Sequence, residues 1–500
     1  MPSRWLPRLL LLGLLPALVQ GEPYAEQRWL EVRTDAFRLV SNTDEEATKR
    51  IARSFEEFRA LAPILTGAQR AAPDLDTTIF VFGDEKSWSY FRPTKDVAGF
   101  FTTDAEANYI GLYAAVDDER AGLRTALHEY VHLLARNQAS SGQYPTWYDE
   151  GFAEAISTAR VEGDEIVVGA PPGGYLALLD DRKWLPLERV VTARGYEGLG
   201  RREKQMLYAQ SWLFVHRLTW GHVMGLAERH DQILPYIERV SRGEPEEKAF
   251  RKAFGGSYEK LEGELRKYLK EGPPEIVVSA PIPAFESEPR TRALTPREHL
   301  ILLGGFQLAL GEEGAVEAEK LAHRALESAP DDAYAILLLD NARAVRGEDP
   351  GDAGTSRALT LAPEDPRVQR GVGRLALQRS RSPELSVDAR RRLAEQARDA
   401  YSRANALTPD VPGVLAGLGY ARLALGESAA AHRAFREAFR LARWDLNLAL
   451  ILGELQAQSG DPALARRLLR EVVGSAHHAE LRKRAREALA TLDAGASTTD

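Results

Sequence analysis

The stretch "RTALHEYVHLLAR", residues 124–136, decides how the first half of the chain is read. Each residue of a helix turns about 100°, so His128 and His132 share one face, a turn apart. Leu123, Leu127, Tyr130, Val131, Leu133 and Leu134 take most of the remaining circumference, and the helix is expected to be buried. Buried imidazoles need partners, because an unsatisfied polar group in a core costs roughly 1–3 kcal/mol. A zinc ion satisfies two at once, since histidines at i and i+4 converge on a tetrahedral centre. Glu129 stands beside them, able to reach a metal-bound water without binding the metal, the position of a general base. The competing reading is an apolar helix whose histidines fall a turn apart by chance. A third ligand is needed to choose.

That ligand should be a carboxylate or histidine on a neighbouring helix. Just downstream lies "YPTWYDEGFAEAIS", residues 144–157, in which Pro145 and Thr146 open a second helix. Glu150 and Glu154 lie one turn apart on it. Gly151 inside this helix costs about 1 kcal/mol relative to alanine, and close approach to the histidine helix is the expected reason for it. Alone, the segment would read equally well as a surface helix with two solvated carboxylates.

Together, HEYVH and EGFAE resemble the gluzincin zinc metallopeptidases, the thermolysin-like and M1-like peptidase MA domains that carry a W-x-x-E-G-x-A-E motif. Trp147, Glu150, Gly151, Ala153 and Glu154 match it. The resemblance implies an α+β peptidase domain over about residues 28–270. It implies one zinc ion held by His128, His132 and Glu150, Glu129 as base, and Glu154 as a carboxylate that orients a histidine ligand. It also implies a tyrosine or histidine further on that stabilises the oxyanion. "LYAQSWLFVHRL" offers Tyr208 as first choice, and His216, which reads better as a core residue. The G-x-M-E-N signature of M1 aminopeptidases does not occur before His128, so an endopeptidase or a narrower specialised peptidase is at least as good a reading as an aminopeptidase, and the sequence leaves endo- and exopeptidase open.

Around this site the chain divides. "MPSRWLPRLLLLGLLPALVQG" has the layout of a secretory signal over residues 1–21, with an uncleaved membrane anchor as the alternative. Export to a bacterial periplasm or the extracellular space is expected. Residues 22–120 read as the α/β part of the peptidase domain. "WLEVRTDAFRLVS" is a strand or hairpin, and Ile51, Phe55, Phe58 and Leu61 recur at helical spacing behind Asp44 as cap. "TTIFVF" and "NYIGLYAAV" are strands, the second either an edge that could pair with an extended peptide or an interior strand. Residues 121–272 are expected to be the helical, zinc-binding part. The Pro-rich segment 273–295 reads as a surface linker with one possible strand at 276–279.

Beyond residue 296 an internal repeat appears. Gly419 and Gly453, Ala431 and Ala465, Phe435 and Leu469, and Ala438 and Val472 are each one 34-residue period apart. A helix pair of that length cannot bury its own apolar face and stacks on its neighbours. The pattern resembles the tetratricopeptide repeat, with four or five copies over 296–492 and a disordered tail at 493–500; an unrelated helical bundle is the alternative. Lys+Arg number 65 against 73 Asp+Glu, a formal charge of −8, which argues against nucleic acid as partner. With no cysteine, disulfides, thiolate metal sites and cysteine nucleophiles are excluded. "RREK" at 201–204 reads as solvated surface.

The expected fold is thus an α+β gluzincin-like metallopeptidase domain followed by an all-α tetratricopeptide-type solenoid. The expected function is zinc-dependent hydrolysis of peptide or protein substrates, with a protein or peptide partner bound by the repeats. Two rivals stand beside it: a binding scaffold whose zinc site is catalytically silent, and a zinc hydrolase of a nonpeptide amide.

Overall fold

In this computed structural model the described residues are 23–66, 76–95, 97–103, 107–114, 119–138, 144–181, 183–196, 198–281, 289–459, 461–475 and 479–496. The expected signal segment lies outside them. Among the described residues no helix is long and apolar enough to cross a membrane.

The expected hairpin forms from β1 (Leu30–Arg33) and β2 (Arg38–Ser41), which pair antiparallel. Helix α1 (Glu45–Thr66) follows, its first turn closed by Asp44, whose Oδ1 accepts from the Ala47 amide at 2.8 Å. Strand β3 (Asp76–Phe82), the short helix α2 (Glu85–Trp88), β4 (Gly99–Thr103) and β5 (Ala107–Tyr113) complete the α/β part. With β9 (Thr291–Ala293) joining from far along the chain, the sheet order is β4-β5-β3-β2-β1-β9. "NYIGLYA" is therefore an interior strand, parallel to β3 and antiparallel to β4, and the edge on that side is β4. Strand alternation gives the sheet two apolar faces. Ile79, Val81, Ile110 and Leu112 pack on α1 and on α3 (Glu119–Gln138), the HEYVH helix. Phe80, Phe82 and Phe100 point the other way.

The half expected to bind zinc adds α4 (Thr146–Ile156), a hairpin of β6 (Arg160–Glu162) and β7 (Glu165–Val168), α5 (Tyr175–Asp180), α6 (Leu187–Val191), α7 (Arg201–Trp220), α8 (Ile233–Ser241), α9 (Glu246–Phe254) and α10 (Tyr258–Glu271). Its core gathers Trp147, Trp212, Phe214, Tyr236 and Phe250. The β6–β7 hairpin was hidden in the sequence because its strands are only three and four residues long.

The described ends of the segment expected to be a surface linker are strands, the first of them at the position where one was expected. Strand β8 (Ile276–Val278) joins β7, and β9 joins β1, so its two ends are built into the two sheets. Arg292 reinforces the second contact, its Nη2 standing 2.6 Å from the buried Glu31 carboxylate. Charge pairing of this kind is invisible to a reading of prolines alone.

Among the described residues the repeats are five helix pairs and a final helix. They run α11 (Pro296–Ala309) with α12 (Glu312–Ser328), α13 (Ala333–Val345) with α14 (Ala353–Leu361), α15 (Pro366–Arg379) with α16 (Val387–Leu407), α17 (Pro412–Ala424) with α18 (Ser428–Leu441), and α19 (Leu446–Ser459) with α20 (Pro462–Ser475). Helix α21 (Ala479–Ala496) closes the array and takes in 493–496, which the sequence reading places in a disordered tail. The 34-residue period has a direct packing cause. A Cβ at Gly419 would fall 2.8 Å from the Phe435 ring, and one at Gly453 would fall 2.8 Å from Leu469 Cγ. In both pairs a glycine on the first helix receives the large side chain of the second. This portion of the chain is an all-α repeat solenoid.

The solenoid does not hang from the sheet by a tether. Phe306 of α11 is fully buried against the second face of the sheet, stacked on Phe80 at 4.6 Å and on Phe100 at 5.4 Å. Leu300, Leu303 and Leu321 join the same core. The division at 295/296 is thus a change of architecture and not a break in packing.

Candidate metal centre

Helices α3 and α4 bring the sequence-derived ligands together. Among the described residues, His128, His132 and Glu150 form a group whose ligand atoms all lie within 4.8 Å of one another. The two Nε2 atoms are 3.0 Å apart, and Glu150 Oε2 stands 3.2 Å from the first and 3.5 Å from the second. Ligands about 2.0–2.1 Å from a tetrahedral ion stand about 3.3–3.4 Å from one another. The triangle therefore has the edge lengths of one face of a zinc tetrahedron. Glu150 Oε2 is buried and faces the two imidazole nitrogens at these distances, while Oε1 of the same carboxylate accepts from the Tyr196 hydroxyl. A buried carboxylate oxygen facing two imidazole nitrogens is an arrangement that a three-ligand zinc site requires. The residues present fit the ion.

The far nitrogens support the same assignment. His132 Nδ1 lies 3.1 Å from Asp149 Oδ1, and His128 Nδ1 lies 3.5 Å from Glu154 Oε1. Each carboxylate favours a proton on Nδ1 and leaves Nε2 free to bind a metal. Glu154 is itself held by the Tyr175 hydroxyl at 2.8 Å and by Arg124 Nη1 at 2.9 Å. Burial alone would lower the pKa of both histidines. The facing carboxylates outweigh it, raising His128 through Glu150 and Glu154 and raising His132 well above the usual value through Asp149 and Glu150. Burial likewise opposes the charge on Glu150, yet the two imidazoles hold its carboxyl far below the usual range. The cluster favours positive charge next to Glu150, which protonated imidazoles supply and a divalent ion would supply equally.

Gly151 has a different cause from the one expected. A Cβ there would fall 2.2 Å from the Ser211 carbonyl oxygen and 2.7 Å from Val215 Cγ2. The helix that needs the glycine is α7, packed across α4, and not the histidine helix.

Glu129 is half-buried on α3 beside the cluster, and its charge bears on Tyr208. Tyr208, on α7, is brought to the site: its ring centre is 6.2 Å from that of His128. It stacks on Tyr196 at 5.7 Å and 11°. Burial, with the charge of Glu150, pushes its pKa well up, so the phenol keeps its proton and can donate it. His216 is fully buried away from the cluster, with Nδ1 2.8 Å from the Tyr268 hydroxyl and Nε2 3.1 Å from the Pro274 carbonyl. It is the core residue it was expected to be. Sequence reasoning missed Asp149, Tyr175, Tyr196 and Arg124. Asp149 adjoins the glutamate ligand and could have been suspected; the two tyrosines come from a loop and a short helix with no motif.

No family model matches the chain, and no curated protein matches it. Among solved structures it is similar to a thermophilic TPR protein of Thermus thermophilus, at 21% identity and a TM-score of 0.34, covering 39% of this chain and 99% of that one. It is also similar to pilF of Pseudomonas aeruginosa, at 22% identity and a TM-score of 0.30, over 39% and 88%. A third likeness is to an assembly chaperone of RpL4, at 16% identity and a TM-score of 0.30, over 40% and 90%. Each covers about two-fifths of this chain.

Proposed function

We propose that this chain is an exported zinc-dependent peptidase built onto a protein-binding repeat array. One observation carries the reading: the buried Glu150 Oε2 closes a triangle with two imidazole nitrogens whose far sides are both turned to carboxylates. His128, His132 and Glu150 would hold the ion. When bound, zinc supplies a Lewis acid and brings the pKa of a water to about 7.

The chain's own groups do the rest. Glu129 takes the proton of the attacking water and returns it to the leaving amine. Tyr208 donates its phenol hydrogen toward the oxyanion, and stacking on Tyr196 fixes its ring. Asp149 and Glu154 hold the two imidazoles in one tautomer and orientation. The strand β4 stands at the edge of the sheet, the position at which an extended substrate could pair.

Glu129→Gln tests the assignment of roles. The variant is expected to bind zinc like the unmodified chain and to lose cleavage of a peptide library; turnover retained in pure protein would remove Glu129 from the mechanism.

A second reading, a binding scaffold with a silent zinc site, is supported by the size of the repeat array, which runs from α11 to α21. It expects stoichiometric zinc, no cleavage of any peptide, and a protein partner retained by the repeats. A zinc hydrolase of a nonpeptide amide would release product from envelope material and spare the library.

A further inference from the structure

Tyr196 belongs to no motif, yet the loop between α6 and α7 that carries it is fastened to two helices just ahead of it. Arg194 forks onto Glu246 of α9, with Nη1 3.2 Å from Oε1 and Nη2 2.9 Å from Oε2. The Gly195 amide donates to Thr146 Oγ1, in the first turn of α4, at 2.9 Å. Gly195 itself takes a φ of 85°, in the left-handed region that favours glycine. So held, the half-buried Tyr196 donates its hydroxyl hydrogen to Oε1 of Glu150, and its ring lies on that of Tyr208, 5.7 Å away and tilted by 11°.

The two oxygens of Glu150 therefore face different partners. Oε2 is turned to the histidines, 3.2 Å from His128 Nε2 and 3.5 Å from His132 Nε2, and Oε1 is engaged by the phenol. A carboxylate that chelates an ion turns both oxygens toward it. Here that turn would break a charge-assisted hydrogen bond, one of the stronger kinds, made by a group that the loop holds in place.

We infer that Tyr196 is a positioning residue that holds Glu150 to one oxygen, keeps the protein ligands at three, and so makes the site select an ion content with four-coordination, zinc above manganese. It rests on the zinc reading of the cluster, since it states which ion that cluster selects and what enforces the choice. Zinc accepts three protein ligands and one open position, whereas manganese favours six positions rich in oxygen. A Glu150 released from Tyr196 could offer its second oxygen, raise the coordination number and relax the discrimination. Zinc binds most nitrogen and oxygen sites more tightly than manganese does, so the informative quantity is the change in the ratio of affinities on mutation.

Tyr196→Phe removes the hydroxyl and keeps the ring that stacks on Tyr208. Tyr268→Phe is the control: it removes another tyrosine hydroxyl from the same half of the chain, one bonded at 2.8 Å to His216, away from the cluster. Zn2+ and Mn2+ affinities of the metal-free full-length proteins are measured by chelator competition. The visible absorption of bound Co2+ reports coordination number, because four-coordinate cobalt absorbs far more strongly than five- or six-coordinate cobalt. Tyr196→Phe is expected to bind zinc about 10–100-fold more weakly, to lose less for manganese, and to give a weaker cobalt band, with Tyr268→Phe matching the unmodified chain in all three. A Tyr196→Phe chain that keeps both the zinc-to-manganese ratio and the cobalt band would overturn the role of the hydroxyl while leaving the zinc site standing. Equal losses in the two variants would reduce the effect to packing and overturn it as well. An unmodified chain that binds neither zinc nor cobalt removes the metal reading, and the role of Tyr196 falls with it.

Discussion

Replacing Gly151 by alanine asks whether the packing of α4 on α7 sets the position of Glu150, the proposed metal ligand. The added methyl would lie 2.2 Å from the Ser211 carbonyl oxygen, whereas carbon–oxygen contacts settle at about 3.3 Å. The helices must part by about 1 Å. Main-chain oxygen cannot rotate away as a flexible side chain could, and Val215 Cγ2 at 2.7 Å closes the alternative direction. Overpacking of this kind costs about 1–3 kcal/mol, at the upper end here because backbone is on the other side. The displacement also moves Glu150, the adjoining residue, by a distance about five times the tolerance of a zinc–ligand bond, which is about 0.2 Å. The expected result is a loss of about 2–3 kcal/mol in urea unfolding of the zinc-free chain, together with weaker zinc binding in chelator competition. Unchanged stability and unchanged zinc affinity in Gly151→Ala would refute the claim that this helix crossing builds the site.

Further outcomes follow from other parts of the fold. Phe306→Ala removes a fully buried ring from the junction of sheet and repeats; a loss of about 3–5 kcal/mol is expected, and chemical denaturation should resolve the repeats from the sheet if this junction couples them. Asp149→Asn keeps the size of the group that faces His132 Nδ1 and removes its charge, so zinc affinity should drop about 10–100-fold with the unfolding midpoint of the zinc-free chain little changed; isothermal titration measures it. Burial pushes His216 down to about 4, below its usual value of about 6.5. Below that usual value the unfolded chain takes up a proton that the folded chain refuses, so stability conferred at neutral pH is lost as the pH falls from about 6.5 to 4, by about 3 kcal/mol in all. His216→Gln should flatten that part of the pH–stability curve.

What could be read in advance was whatever a short-range period encodes. Histidines at i and i+4 and glutamates at i and i+4 placed three ligand candidates on two helices, and the structure closes them into one cluster. The repeat was legible because Gly419 and Gly453 face equivalent large side chains one period apart. Contacts between segments distant in sequence were not legible. The pairing of β9 with β1, across some 260 residues, turned an apparent linker into sheet. The Tyr196 hydroxyl reaches Glu150 from a loop whose sequence has no pattern to betray it. Gly151 was recognised as a point of close approach, but composition alone could not say that the approaching helix was α7. The edge strand β4 was overlooked because "GFFTT" is short and lies close to the more conspicuous β5.

The zinc content of the purified chain, measured beside His132→Ala and Glu150→Ala, tests the central claim most directly. The account predicts close to one zinc per chain in the unmodified protein, lost in both variants while helical content is retained. A chain that folds with no zinc after reconstitution, or that keeps its zinc when Glu150 or His132 is removed, would contradict it.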